Sequence, residues 1–567
     1  MVVIIVAACA FVDAAARQAK VDADGDGVLS VHVGGDDCDD GNTKIGAKTK
    51  IYADEDGDGY GSGEARLGCT GAAVDGDCDD GDAAIHPAAV ESCGGSVDVD
   101  CDGNVGLCSI EDFGPSILGP MEGGRAGSAI ASIDEDSAFR NAVLFGAPGT
   151  EGGSATIYVG TDAPDTGFLH GEDGYFFAEN YAESEFGSAV MLADLNGDGS
   201  ADLVGGAPGR PNDDGTQGAI GIDYGAFEHS GNALRDMIAE AARDEFGASV
   251  AAADFDEGER AVVAGAPGAA ADCGAVYVFR GRGRDEVDAF TAFQLGGSKL
   301  FGDCIESPNN RLGATLAVAD LNGDGEDEII IGAPGDASRP TDERPGGAIW
   351  IVPSRSLESE MPLVERLADG SVVRWASEDA NAAAGTAIAV GDFGLDGTVD
   401  IAVGAPGASP IAIGGGLVYL LFHPMTDDLD GDGNLVDAGA RIEGDKDHAA
   451  LGSSLATIPG PNDGDYAMLA IGAPAEDDET FGTNAGAAYV FRVTEEFNSP
   501  PASDADFRFA CSLEDCAGGT ALGAGDFDGD GVFDLYIGAP GGYDPSGVVP
   551  AKPPGAVTVA LGIAWSG

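Results

Sequence analysis

Carboxylates at alternate positions, closed by glycine, are the residues of this chain best suited to chemistry. Three nine-residue stretches carry the full pattern: Asp194, Asn196, Asp198, Ser200 and Asp202; Asp320, Asn322, Asp324, Glu326 and Glu328; and Asp526, Asp528, Asp530, Val532 and Asp534. Positions 1, 3 and 5 offer side-chain oxygens, position 7 a carbonyl, and position 9 a carboxylate suited to bidentate contact. Six or seven hard oxygens on one tight turn is the coordination calcium takes, and it disfavours transition metals. The Asp526 loop has four acids and should bind most tightly, whereas the Asp320 loop must fit a longer side chain at Glu328. A fourth stretch, Asp392, Asp396 and Asp400, has Gly394 in place of the third oxygen and reads as a weak site. Asp254-Phe255-Asp256 has lost position 5, and Asp134-Glu135-Asp136 stops short. Near the N-terminus, Asp22, Asp24 and Asp26 precede Gly27, and Asp54, Asp56 and Asp58 precede Gly59. Asp428, Asp430 and Asp432 read either as an extra site or as a polar turn, the commoner outcome.

Other chemistry is poorly supported. The chain has no GxSxG, HExxH, GxxxxGK[ST] or SxxK motif. Its six histidines, His32, His86, His170, His229, His423 and His448, are scattered. Carboxylates are too abundant for any pair to indicate glycoside hydrolysis. Of the eleven cysteines, six fall between Cys38 and Cys108, in a stretch poor in bulky apolar residues. That density suits disulfides in an oxidising compartment, and their connectivity stays open. Cys511 and Cys516 could close a small loop. Zinc would want CxxC pairs, and there are none. At the start, Val6-Ala7-Ala8-Cys9 resembles a bacterial lipobox with a lipidated Cys9, although the positive region and longer apolar segment of a signal are missing. Residues 1–9 are read as a truncated lipoprotein or secretory signal, the alternatives being a late start codon, a chance match or a short buried strand. No run of about 18 apolar residues occurs, so no membrane helix is expected.

Positioning these loops requires turns, and glycine supplies them: 92 of 567 residues. Lys+Arg number 27 against 99 Asp+Glu, a net charge of −72 that repels nucleic acid and anionic lipid. Residues 10–109 form an acidic, Cys-rich module with internal repetition: Gly35–Gly41 and Gly76–Gly81 share an Asp-Cys-Asp-Asp-Gly core, and Asp98–Gly103 is a third Asp-Cys-Asp unit. Beyond it, over 110–567, Gly-Ala-Pro recurs seven times, at Gly146, Gly206, Gly265, Gly332, Gly404, Gly472 and Gly538, with spacings of 59 to 72 residues. Each copy follows another glycine by 18 to 20 residues and precedes a β-branched and aromatic run such as Gly274–Phe279 or Gly347–Val352. Four strand-length runs per repeat make a propeller blade. The last repeat lacks a fourth run, and residues ~113–119 supply it to close the ring. The expected fold is therefore all-β: a seven-bladed propeller of four-stranded blades, with a small disulfide-rich calcium-loop module at the N-terminus.

The recurring Phe-Gly, Asp-x-Asn-x-Asp-Gly and Gly-Ala-Pro grammar resembles the FG-GAP repeats of the integrin alpha N-terminal propeller, over about 80% of the chain. The acidic module resembles the MopE-like metal-binding motif of secreted bacterial proteins and is similar to thrombospondin type 3 calcium repeats. Some proteins with the former motif are associated with copper, but this module offers only His32 and His86 and no methionine, so calcium is the expected cofactor. The resemblance implies structural calcium sites that stiffen β-hairpins. It also implies a secreted or surface protein, non-enzymatic and monomeric, that binds an extracellular protein or glycan. Binding would use loops opposite the calcium hairpins, such as 335–346, 475–485 and 541–554. Any membrane association would run through a lipid anchor at Cys9, as in a bacterial outer-membrane lipoprotein. The alternative is copper or calcium sequestration by the N-terminal module. FG-GAP propellers also accompany hydrolases such as GPI-specific phospholipase D, which have a separate catalytic domain; no segment here is expected to hold one.

Overall fold

The computed structural model describes, in the first stretch, residues 29, 38, 48–54, 56–57, 59–68, 74–79, 81–83, 85–86 and 101. From 107 to 560 it describes all but the connections 110–114, 120–123, 132–141, 150–152, 160–166, 171–174, 179–183, 212–216, 225–234, 240–242, 281–289, 292–297, 303–308, 339–344, 425–430, 461–466, 494–498 and 542–554, and some shorter gaps. The expectations for Cys9, Asp22, Asp24, Asp26, Asp58, Asp198 and Ser200 concern residues outside those described, as do those for Asp134, Asp136, Asp428 and Asp430. The chain divides into two compact units, Met1–Leu107 and Cys108–Gly567.

In the first unit, Thr49–Ala53 and Tyr60–Gly68 form an antiparallel hairpin, and Val74–Asp75 adds to it in parallel. A disulfide joins Cys78 to Cys101, and Cys38 is also disulfide-bonded.

The second unit is built from one repeated sheet. In the repeat that holds Glu328, the strands Thr315–Ala319, Glu328–Ala333, Ala348–Pro353 and Val373–Ala376 pair antiparallel in chain order. Among the described residues, seven such sheets follow one another. The first strand of each touches the first strand of the next, and Leu522–Gly525 of the last touches Ala129–Ala131 of the first. This is a β-propeller. Its last sheet borrows a fourth strand from the start of the unit, Pro115–Leu118, which pairs antiparallel with Ala556–Ala560. A buried hydroxyl pair, Ser116 and Thr558 at 2.9 Å, sits in that join.

The core lies between neighbouring sheets. Val263 and Val276 of one pack with Ile329, Ile331 and Trp350 of the next. At the ring's closure, Ile117 and Phe145 pack with Phe527 and Val557. Second strands such as Glu328–Ala333 and Met468–Ala473 are buried along their whole length. Covered on both faces, they read as continuous apolar runs rather than alternating ones. Burial of each large side chain there contributes about 1.5–3 kcal/mol.

Glycine lets the sheets interlock. A Cβ on Gly332 would lie 2.1 Å from the carbonyl oxygen of Gly385 in the next sheet, and one on Gly538 would lie 2.1 Å from that of Gly127, across the closure. The glycine opening each third strand forms a parallel bridge to the residue just before that second glycine, as in Gly347 with Ala384 and Gly555 with Ala126. The glycines that mark the repeat in sequence thus meet in one clasp between adjacent sheets.

Five of the seven sheets carry a strand beyond the four the spacing predicts. It comes from the connection ahead of the next sheet's fourth strand. Phe290–Thr291, Glu360–Pro362, Asp432–Asn434 and Gly167–His170 pair in parallel with Arg235–Ile238, Ser298–Phe301, Val373–Ala376 and Pro115–Leu118. Leu107–Ser109 lies beside Phe507–Ala510 in the sheet order. An open edge is a template for another chain, and here the following repeat covers it.

Candidate metal centres

Four of the carboxylate stretches form the turn between the first and second strands of a sheet, and all four share one scaffold. The last acid accepts the backbone N–H of position 2: Leu195 to Asp202 at 3.0 Å, Leu321 to Glu328 at 2.9 Å, Phe393 to Asp400 at 3.0 Å and Phe527 to Asp534 at 2.7 Å. The first acid accepts the N–H of the glycine at position 6: Gly199 to Asp194 at 2.8 Å, Gly325 to Asp320 at 2.8 Å, Gly397 to Asp392 at 2.9 Å and Gly531 to Asp526 at 3.1 Å. Position 5 caps position 7, with Asp324 accepting from Glu326, Asp396 from Thr398 and Asp530 from Val532. Side-chain oxygens holding successive N–H groups form an Asx-type turn, which explains the alternate spacing. The last acids, Asp202, Glu328, Asp400 and Asp534, are buried. The Asp392 stretch, expected to be weak, keeps the scaffold without the third oxygen. Its Leu395 takes a left-handed φ of 59°, where Gly197 and Gly323 stand in the Asp194 and Asp320 loops.

The Asp526 loop fits a cation most closely. Ligand oxygens of Asp526, Asp528 and Asp534 lie within 4.8 Å of one another. Asp526 Oδ1 is buried and has no hydrogen-bond partner. Unpaired buried carboxylate oxygens are costly, and a hard divalent ion would satisfy them. The phenol of Tyr536 is held well above its ordinary range by burial and then by the charges of Asp534, Asp526 and Asp528, so it stays protonated.

In the Asp320 loop, Asn322 donates its amide to Glu328 at 2.7 Å, and its Oδ1 accepts the N–H of Asp324 at 2.9 Å. Ser354 donates to Glu326, and Arg355 pairs with Asp324 at 3.4 Å. Burial pushes Glu328 up to about 7; the N–H of Leu321 opposes this, Asp324 and Asp320 add to it, and Arg355 also opposes. In the degenerate third repeat a cation comes from the chain itself. Arg260 pairs with Asp254 at 3.3 Å, and the N–H of Asp254 donates to Asp327 of the next loop at 2.7 Å. Asp432 is not part of a cation loop. It lies in the added strand and takes a two-pronged contact from Arg374, at 3.0 and 2.9 Å. No signal within the sequence near Asp432 marks a partner 58 residues away.

In the first unit, Asp54 accepts the N–H of Gly57 at 2.8 Å in the turn of the 49–68 hairpin, which also holds Asp56. His86 stacks on Tyr60, with ring centroids 4.7 Å apart. At the other end of the propeller sheets, Cys511 and Cys516 are joined as the spacing suggested, and Cys273 is disulfide-bonded too.

A β-propeller with this turn chemistry has relatives. Residues 186–222, 312–352 and 518–559 match the FG-GAP repeat, and 37–46 and 77–106 match the family described as "Putative metal-binding motif", of MopE type. The chain thus carries FG-GAP repeats and a MopE-like metal-binding motif, and it is similar to integrin alpha chains. Human phosphatidylinositol-glycan-specific phospholipase D is 34% identical over 177 residues, 30% of this chain and 20% of that one. Integrin alpha-PS3 of Drosophila melanogaster is 27% identical over 252 residues, 44% of this chain and 19% of that one. Integrin alpha-4 of Xenopus laevis is 36% identical over 160 residues, 26% of this chain and 14% of that one. The chain therefore spans about a fifth of the length of the curated relatives it matches. Among the described residues, no helix is long and apolar enough to cross a membrane.

Proposed function

We propose that this chain is a calcium-stiffened, non-enzymatic interaction protein, secreted or held at the cell surface. It binds a protein or glycan through loops at the propeller end opposite the cation turns. The observation that carries the reading is the carboxylate scaffold repeated at one end of four sheets, with three acids of the Asp526 loop drawn within 4.8 Å. Likeness to integrin alpha chains supports an adhesion-type role, and the disulfides support an oxidising compartment. A net charge of −72 argues against nucleic acid as the partner. The match of 77–106 to a metal-binding motif supports a second reading, sequestration by the first unit. Copper bound more tightly than calcium would favour it.

Thermal unfolding of the full chain in calcium and in EDTA tests the proposal. Calcium at about ten times its dissociation constant stabilises the native state by about 1.4 kcal/mol per site, so three sites give ~4 kcal/mol. The expected rise in midpoint is roughly 5 °C. An unchanged midpoint would make the loops ordinary turns.

The rise should also depend on pH. Without metal, Glu328 binds its proton more tightly folded than unfolded, because its pKa is raised from 4.5 to about 7. Its contribution to stability in EDTA is therefore fully present at low pH and is lost as pH rises toward 7. Calcium must displace that proton, so the calcium-induced shift should be larger at pH 8 than at pH 6. A shift equal at both would mean Glu328 does not meet the ion.

A further inference from the structure

Tyr536 stands in the second strand of the last sheet, two residues after Asp534, so both side chains project from the same side of the strand. Its cross-strand partner is Gly523. A Cβ on Gly523 would lie 3.5 Å from the ring, and one on Gly525 would lie 2.5 Å from the phenol oxygen. The ring therefore lies along a glycine track, and its oxygen reaches the residue that precedes Asp526. Phe527 meets the ring edge-on at 6.3 Å, and Ile117 and Val557 share its core cluster. Packing thus fixes where the hydroxyl sits.

That hydroxyl is buried and has no hydrogen-bond partner, and neither has Asp526 Oδ1. In the sister loops the matching Oδ1 is occupied: Gly197 donates to Asp194 at 2.8 Å, Gly323 to Asp320 at 2.7 Å, and Asp396 to Asp392 at 3.2 Å. The sister strands also carry no phenol at this place, but Val204, Ile330 and Ala402. A lone donor and a lone acceptor at one buried corner each cost free energy while unmade.

We infer that Tyr536 is a positioning residue of the Asp526 cation site, its hydroxyl donating to Asp526 Oδ1 when the ion draws the carboxylate into place. The inference rests on the cation reading proposed above. Partners that orient a metal-ligating carboxylate typically govern affinity by about tenfold or more.

The test uses the full chain, Tyr536→Phe and Asp526→Asn, with thermal melts in EDTA and in calcium, and titration with terbium alone. In EDTA, Tyr536→Phe should melt at the wild-type temperature or above it, since it sheds an unpartnered hydroxyl and keeps the ring. In calcium it should melt below wild type. Terbium affinity at the site that Asp526→Asn removes should fall about tenfold. Tyrosine-excited terbium emission should drop while directly excited emission at saturation persists. Tyr536→Phe matching wild type in calcium response and terbium affinity overturns the inference alone. Asp526→Asn titrating like wild type overturns the cation reading itself.

Discussion

Replacing Gly404 by alanine is expected to destabilise the propeller by roughly 3–5 kcal/mol, among the largest effects of any single methyl in the chain. The new Cβ would lie 2.1 Å from the backbone oxygen of Gly452 and 3.0 Å from its carbonyl carbon. Nothing there is a flexible side chain that could swing aside. Two sheets would have to separate along a face that buries Ala402, Val418 and Leu469, forfeiting dispersion contacts on both sides. The same approach recurs at Gly146, Gly206, Gly265, Gly332, Gly472 and Gly538, where an added Cβ would lie 1.9 to 2.1 Å from the carbonyl oxygen of the following sheet's glycine. Gly538→Ala should therefore cost as much, although its partner, Gly127, lies at the other end of the unit. Urea midpoints read both. A loss below about 1 kcal/mol for either would mean that the sheets are not clasped there.

This clasp is the part of the fold most legible in the sequence, because a requirement for no side chain can be met by one residue only. Seven returns of the same local demand give a period that needs no knowledge of the partner. The carboxylate turns are legible for a similar reason, since the scaffold bonds that all four share run between residues no more than 7 apart. What the sequence hides is whatever depends on a distant neighbour. Asp432-Gly433-Asn434 has no strand propensity and becomes a strand only because Val373–Ala376 offers an edge. Arg260 neutralises Asp254 across a hairpin that keeps Asp256 at its third ligand position but has lost the fifth. Tyr536 looks like any strand residue until Gly523 and Gly525 are seen beside it. Cys511 and Cys516, five residues apart, were readable as a pair, whereas Cys78 and Cys101, among six cysteines, were not.

Arg508→Ala should cost about 3–5 kcal/mol, and its effect should reach the end of the propeller proposed to meet a ligand. Glu476, just after the sixth Gly-Ala-Pro, is only 1% exposed. It accepts from Arg508 Nη2 at 2.6 Å, Tyr489 Oη at 2.6 Å and Lys446 Nζ at 2.7 Å. The same guanidinium nitrogen reaches Asp478 at 2.8 Å, and the guanidinium lies 5.9 Å from the centre of the Tyr489 ring. Burial works against the charge on Arg508, but Tyr489, Glu476 and Asp478 outweigh it and hold the guanidinium charged, while burial and then Glu476 keep Tyr489 neutral. Truncation removes the one fork that serves both buried carboxylates and leaves them facing each other. Arg508→Lys should recover only part of the loss, because an ammonium cannot also supply the second donor that Nε gives Glu476 at 3.2 Å and Tyr489 at 3.3 Å. The network ties the loop that holds Glu476 and Asp478 to the connection that holds Lys446 and to the fourth strand, so the truncated protein should also expose 475–485 to proteolysis. A double-mutant cycle with Glu476→Gln measures the coupling. Additive losses would show that the guanidinium does not act through Glu476, and its hold on this loop would then have to run through Asp478.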